Sequence, residues 1–277
     1  MMKQHTLSRT YTFEGVGLHS GRHVRISLRP APEGSGIVFR RLDLQRAEIR
    51  AAAANFHKGA RSTSLKSGKV EVRTVEHLLS AFAGMGVDNA VVEMDGAEVP
   101  ILDGSSKPFA QAIADDGLVE QSAERSVITV TEPFEYRDGR RGSWLKIEPA
   151  STASYHVQID FNSRVIGVQE ACFDGTGYLS EVASGRTFCF KREIKWLRLL
   201  GLIKGGSLDN ALVIDEPRGY FGCQPAFDNE CARHKLLDLI GDLSLAGKPI
   251  IGRITAFKPG HKFNVTALKA FLESVKQ

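Results

Sequence analysis

Two stretches of the chain look like versions of one element. Glu76–Gly84 reads E-H-L-L-S-A-F-A-G, and Arg233–Gly247 reads R-H-K-L-L-D-L-I-G-D-L-S-L-A-G. In each, a histidine near the start of a helix is followed by leucine-rich turns and a glycine, then a strand, a loop and another helix. A plan met twice in one chain points to an α+β fold of two similar α/β domains, each a sheet covered by helices. Length agrees, because 277 residues exceed most single small cores and suit two domains of ordinary size.

Around these helices the pattern is that of strands. T-L-S-R-T-Y-T-F, H-V-R-I-S-L-R-P and S-G-I-V-F-R-R-L alternate between Gly and Pro turns over residues 5–50, which predicts antiparallel strands. G-V-G-L-H-S-G, from Gly15 to Gly21, has the spacing G-x-G-x-x-x-G and is followed by strand period, so no helix N-terminus waits there for a dinucleotide phosphate. Thr74 is the expected N-cap of the first central helix, Gly84 its end, and Val87–Met94 the strand after it. The sequence turns polar at Gln121–Arg125 and new strands begin, which places the domain boundary between 1–124 and 125–277. Strands are expected at Val127–Tyr136, Trp144–Glu148 and Tyr155–Phe161, and a terminal helix from Asn264.

The second central helix carries the chemistry. His234, Asp238 and Asp242 fall at i, i+4 and i+8 on one face, with Lys235 beside them and Leu236, Leu237, Leu239, Ile240 and Leu243 opposite. An imidazole and a carboxylate one turn apart both reach one divalent ion, and the nitrogen and oxygen donors suit zinc or ferrous iron better than calcium. The same row also describes an exposed helix with i,i+4 ion pairs. A third ligand decides between them, and His77 on the first central helix supplies it. Since position 81 is Ala, that helix offers one imidazole only, unlike H-E-x-x-H helices. A His77, His234, Asp238 set leaves a fourth position for water, whose proton Glu76 is placed to take. His261, in K-P-G-H-K-F-N, is expected on a loop hinged by Pro259 and Gly260, where Asp242 would hold it charged.

Thr187–Ile214 has no evident counterpart in the first half and predicts strand, helix, Gly-rich turn and strand. Its apolar residues, Phe188, Phe190, Ile194, Trp196, Leu197, Leu199, Leu200, Leu202 and Ile203, exceed what a small insert hides within itself. They either pack on the parent domain or line a slot for an acyl chain. Composition narrows the partners. A net charge of +4 comes from 36 basic residues scattered among 32 acidic ones, which favours a small anionic substrate and excludes a basic block that tracks nucleic acid. Four cysteines without a C-x-x-C pair, no apolar leader at the N-terminus and no apolar run near the ~20 residues of a spanning helix predict a reduced, cytoplasmic protein.

G-V-G-L-H-S-G, T-V-E-H-L-L-S-A, P-I-L-D-G-S, G-R-T-F, G-G-S-L-D-N-A, R-H-K-L-L-D-L-I-G-D-L and K-P-G-H-K-F-N, in that order, closely resemble the UDP-3-O-acyl-N-acetylglucosamine deacetylases, zinc amidases of lipid A biosynthesis in Gram-negative bacteria. The resemblance runs from Gln4 to about Phe271. It implies that His77, His234 and Asp238 bind zinc, with ferrous iron the alternative in the cell, that Glu76 is the general base, and that His261, oriented by Asp242, is the general acid. It further implies that Thr187 donates to the tetrahedral oxyanion and that Lys235 and Lys258 meet the polar and diphosphate parts of a UDP-3-O-acyl-GlcNAc substrate. Leu18, Phe188, Ile194 and Gly206 would line the acyl passage, and Phe161 would pack near the uridine. An active site between two domains, a monomer, and at most weak peripheral contact with a membrane follow.

The chain departs from the pattern twice. Ser143 precedes Trp144 where some members carry a basic residue, and Ser64 stands where others carry cysteine near the metal. Two rival functions remain at this stage. One is an amidase acting on a related amino sugar without a lipid, for which Thr187–Ile214 is ordinary core. The other is a non-catalytic nucleotide or RNA binder, which leaves the His and acid set without a purpose.

Overall fold

Alternation in the first fifty residues becomes strands whose inward side chains vanish from solvent: in His23–Pro30, Val24, Ile26 and Leu28 are buried while His23 and Arg25 are exposed. The computed structural model describes residues 2–140 and 142–275. Tyr11–Val16, His23–Pro30, Ala90–Met94, Ile37–Arg41 and Ala47–Arg50 lie side by side in that order as one five-stranded sheet. Phe134–Asp138, Ser143–Glu148, Arg253–Phe257, Ser154–Asp160 and Val168–Phe173 form the second. The two share one topology. Each has two hairpins flanking a central strand that comes last in sequence, antiparallel to one hairpin and parallel to the other.

Among the described residues six α-helices accompany the sheets: α1 Glu76–Met85, α2 Lys107–Asp116, α3 Tyr178–Glu181, α4 Lys191–Leu199, α5 Glu230–Leu243 and α6 His261–Ser274. α1 packs on α5 and on α2, and α5 packs on α6 and on the second sheet. One continuous core runs through Leu78, Leu79 and Phe82 of α1, Leu236, Leu237 and Ile240 of α5, and the inner faces of both sheets. α5 is therefore buried nearly all round, its polar row included: His234, Asp238 and Asp242 are each at most 3% exposed. That excludes the exposed, ion-paired helix.

Both halves carry an insert at the same place, between the second hairpin and the central helix. In the first half it is the three-stranded sheet Phe56–Lys58, Thr63–Ser67, Val70–Arg73. In the second it is α3, then Phe188–Phe190, α4, Leu212–Asp215 and Gly219–Phe221. So Thr187–Ile214 does have a counterpart, and its small sheet extends to Phe221. The short polar strands of residues 56–73 hide the equivalence in sequence.

Three local expectations, at Thr74, Gly84 and Asn264, are not met. Thr74 is no N-cap: its φ is +56° and its hydroxyl donates to Glu98 Oε1 at 3.1 Å, a carboxylate that also accepts the amides of His19 and Ser20. α1 passes through Gly84 and ends at left-handed Gly86. α6 starts at His261, three residues early, because the Asn264 side chain turns back to accept the Gly260 amide at 3.0 Å and closes the first turn. The polar stretch at Gln121–Arg125 is mostly strand, Leu118–Glu124 pairing antiparallel with Lys3–Leu7.

Candidate active site

The centre lies where α1 crosses α5. Glycine at 241 permits the approach, since a Cβ there would strike the carbonyl oxygen of Glu76. His77 and His234 then face each other with ring centroids 5.1 Å apart and planes at 90°. Asp238, one turn along α5 from His234, brings Oδ1 to 3.5 Å from His234 Nε2 and 3.7 Å from His77 Nε2. One donor atom from each of the three lies within 4.8 Å of the others, and all three residues are buried.

The donor chemistry fits a divalent ion. Burial, with His234 adding, lowers His77 to about 3, and burial lowers His234 to about 4, so both imidazoles are neutral and hold a lone pair. His234 Nδ1 donates to the Gly185 carbonyl at 3.1 Å, which leaves Nε2 as the free nitrogen. Asp238 Oδ2 accepts from Lys235 Nζ at 2.6 Å, but Oδ1 is buried with no hydrogen-bond partner. An orphan carboxylate oxygen between two neutral imidazoles lacks a positive charge, and a metal ion supplies one. Although burial acts to raise the Asp238 pKa, it is outweighed by His234 and His77 where they are protonated and by the charged Lys235 and His261, so the carboxylate is held ionised.

Glu76 and His261 flank this set. Glu76 Oε2 accepts the Thr63 amide at 3.0 Å, and Oε1 lies 3.7 Å from His261 Nε2. Burial pushes the Glu76 carboxyl up to about 8, with His261 opposing and Asp242 and Asp238 adding. For His261 burial acts downward, but Asp242, Asp238 and Glu76 together raise it to about 9. Its Nδ1 lies 3.0 Å from Asp242 Oδ2, which also accepts from Asn264 Nδ2 at 2.9 Å, while Thr63 Oγ1 donates to Asp242 Oδ1 at 2.5 Å. His261 is thus a helix-borne, tethered group. The mobile loop expected from Pro259 and Gly260 is absent because α6 begins at His261 itself.

A cavity of about 1640 Å³ opens over these residues, and Leu18, Phe161, Thr187, Phe188, Ile194, Gly206 and Lys235 all line it. Thr187 is held from two sides, its amide donating to Gly104 O and its carbonyl accepting from Leu212, each at 2.8 Å. Phe161 and Phe188 meet edge to face at 5.3 Å. Lys258 is the one named residue that neither lines the cavity nor touches the centre. Its Nζ is paired with Asp160 at 3.0 Å, and its carbonyl accepts from the Ser143 hydroxyl at 2.8 Å. Serine at 143 therefore anchors this backbone from a buried position.

Four contributors escaped the sequence reading. Thr63 tethers both Glu76 and Asp242, Gly185 orients His234, Asn264 supports Asp242, and His19 lines the cavity with an unpartnered Nε2. Asn264 was within reach, since it sits three residues after His261 on one helix face. Thr63 and Gly185 carry no local signal, because their role depends on contacts made across the fold.

The sequence profile described as UDP-3-O-acyl N-acetylglycosamine deacetylase matches residues 4–273. Proteins named UDP-3-O-acyl-N-acetylglucosamine deacetylase are similar along nearly the whole chain. That of Acidithiobacillus ferrooxidans is 45% identical, with 98% of this chain and 90% of the relative covered. Those of Saccharophagus degradans and Thioalkalivibrio sulfidiphilus are 44% and 43% identical, over 100% and 98% of this chain and 91% and 90% of theirs. The chain belongs to the UDP-3-O-acyl-N-acetylglucosamine deacetylase family. This family comprises amide hydrolases, and the buried His77, His234, Asp238 group could hold a metal ion.

Proposed function

We propose that the protein hydrolyses the 2-acetamido group of UDP-3-O-[(R)-3-hydroxyacyl]-N-acetylglucosamine, releasing acetate, in the committed step of lipid A biosynthesis. The observation that carries this is the unpartnered, buried Oδ1 of Asp238 between two neutral imidazoles, with a carboxyl and a charged imidazole flanking it at the floor of a long cavity. His77, His234 and Asp238 would hold zinc, with ferrous iron the alternative. Such an ion supplies Lewis-acid polarisation of the amide carbonyl and makes a water more acidic.

The chain's own groups do the rest. Glu76, made more basic by burial, takes the proton of the attacking water. His261, kept protonated by Asp242, gives its proton to the departing amine nitrogen. Thr187 and Lys235 stand at the wall beside Asp238 and stabilise the developing oxyanion. Leu18, Phe188, Ile194 and Gly206 receive the acyl chain, and Phe161 the uridine. Lys258, partly exposed beside Asp160, meets the diphosphate, with Arg140 and Lys262, exposed on the cavity's rim, as further cations for it. In this reading 1–124 and 125–277 are two units that share one site, in a cytoplasmic monomer. Among the described residues no helix is long and apolar enough to cross a membrane.

The test is release of free amine from UDP-3-O-(3-hydroxyacyl)-GlcNAc before chelation, after chelation, and after one equivalent of zinc or ferrous iron is returned. Activity should disappear and return, and the same sugar without its acyl chain should turn over at least about tenfold less well, given ~0.8 kcal/mol for each buried methylene. Turnover indifferent to chelation refutes the metal assignment. Equal turnover of the lipid-free sugar refutes the acyl passage.

A further inference from the structure

Helix α4 has two apolar faces. The inner one is spoken for: Leu197 is buried and, with Ile194, lines the cavity. On the other side Trp196, Leu199 and Leu200 are 60%, 76% and 56% exposed, the densest group of large exposed apolar side chains among the described residues. At 100° per residue, Arg192, Trp196 and Leu199 share one face at i, i+4 and i+7, with Lys195 next to Leu199. Leu200 follows at the end of the last turn.

Charge distinguishes what can cover this face. Lys191, Arg192, Lys195 and Arg198 lie on α4 and Lys204 just beyond it, against a single acidic residue, Glu193. Glu193 is already paired with Arg61 at 3.0 Å, Lys191 with Asp215 at 2.7 Å and Arg192 with Glu216 at 2.8 Å. Lys195, Arg198 and Lys204 have no carboxylate partner among the described residues. A second copy brought to the same face would set like charge against like charge. A surface that is anionic at its boundary and apolar beneath it satisfies both sets of side chains at once. The indole of Trp196, apolar in body and polar at its N–H, suits such a boundary.

We infer that the outer face of α4 docks reversibly on the headgroup region of an anionic phospholipid bilayer, with Trp196, Leu199 and Leu200 inserted and Lys195, Arg198 and Lys204 on the phosphates. Lys195 and Arg198 also border the cavity, so the docked face adjoins its mouth. Occupancy is read without turnover, so the proposal stands or falls apart from the reaction assigned above. One helix of this length with three inserted side chains gives weak attachment, sensitive to salt.

The test is co-sedimentation of the full chain with phosphatidylglycerol/phosphatidylethanolamine vesicles and with phosphatidylcholine vesicles, together with tryptophan emission. Binding to the anionic vesicles is expected, with a blue shift that Trp196→Phe removes and Trp144 cannot supply from its stack on Phe257. Raising salt and the pair Lys195→Glu/Arg198→Glu should each lower the partition coefficient about tenfold or more. Trp196→Ser/Leu199→Ser/Leu200→Ser should abolish binding while its thermal midpoint stays close to the parent's, since all three side chains are more than half exposed. Failure of the parent to sediment, equal binding to phosphatidylcholine, or unchanged binding by the triple variant each overturns the proposal. So does a concentration-dependent dimer that the triple variant abolishes, because a second copy then covers the face.

Discussion

Helices α1 and α5 occupy equivalent positions in two sheets of identical topology, and a residue-by-residue comparison separates scaffold from chemistry. His77 and His234 correspond, and seven residues later so do Gly84 and Gly241. Both glycines mark a close approach: Gly84 lies against the ring of Tyr178, Gly241 against the Glu76 carbonyl. The helices diverge at the polar row. Ala81 answers to Asp238 and Met85 to Asp242. Each helix is tied to its neighbour through a buried polar hub, but of different kinds. At α1 the Tyr178 hydroxyl, contributed by the second half, bridges Ser80 and Ser106 at 2.7 and 2.8 Å, a neutral network. At α5, Asp242 gathers His261, Asn264 and Thr63 around a negative charge. A common frame supplies the two imidazoles, and carboxylates on one helix only turn their meeting into a site.

Asp238→Ala makes α5 match α1 and should have the largest effect. Metal content should fall well below one equivalent, with turnover down by about 10³ or more, because the ion's charge has lost its buried counter-charge. A variant that keeps stoichiometric metal and activity breaks the assignment of the row. His261→Ala leaves the three donors intact and should lower kcat by about 10²–10⁴ at unchanged metal content. If metal is lost as well, His261 belongs to the metal set and its role as acid is wrong.

The glycines sharpen the comparison on a smaller scale. A methyl at 84 meets a ring that can shift, whereas a methyl at 241 meets backbone that cannot. Both Gly84→Ala and Gly241→Ala should cost about 1–3 kcal/mol in denaturation, with Gly241→Ala at the upper end. Gly241→Ala should in addition depress kcat, since relieving the clash displaces Glu76 and His77, while Gly84→Ala should leave kcat within about twofold. Equal losses of activity would mean that the crossing is not what aligns the donors.

The repeated helix was legible because periodicity and a histidine at its start survive in both halves, and with it came the two-sheet architecture and the pairing of His77 with His234. The row on α5 was legible from spacing alone. Its burial was not, because an i,i+4 row looks the same on an exposed helix, and only the packing of α1 at Gly241 removes it from water. Helix starts misled at Thr74, read as a cap, and at Asn264, read as the first helical residue, because each side chain is claimed by a distant or backward partner, Glu98 in one case, Gly260 and Asp242 in the other. The first insert was missed because a small, mostly polar sheet has no hydrophobic surplus to announce it. Motif order placed Lys258, and its pairing with Asp160 was not legible in it.

The sheets also differ on the faces turned away from the helices, where the smallest effect is expected. On the central strand of the first, Glu93 is 7% exposed and accepts from Arg29 at 2.9 Å, Arg40 at 2.9 Å and Arg46 at 2.6 Å. The central strand of the second carries Arg253, Thr255 and Phe257 there, with one Arg253–Glu148 pair at 3.2 Å and an aromatic stack. Burial acts to raise the Glu93 pKa, but Arg40, Arg29 and Arg46 outweigh it and hold it below the usual carboxylate value. A depressed folded-state pKa contributes stability that is complete above the unfolded carboxylate pKa and is lost as pH falls through the folded one. Two of the three arginines are more than half exposed and screened, so Glu93→Gln should cost about 1 kcal/mol at pH 7. The gap from the parent in urea denaturation should close as pH is lowered through the carboxylate range, while Glu148→Gln on the second sheet should change little at any pH. A gap for Glu93→Gln that stays constant on acidification would mean that Glu93 acts through packing instead of charge, and one that widens would mean that its folded-state pKa is raised and not lowered.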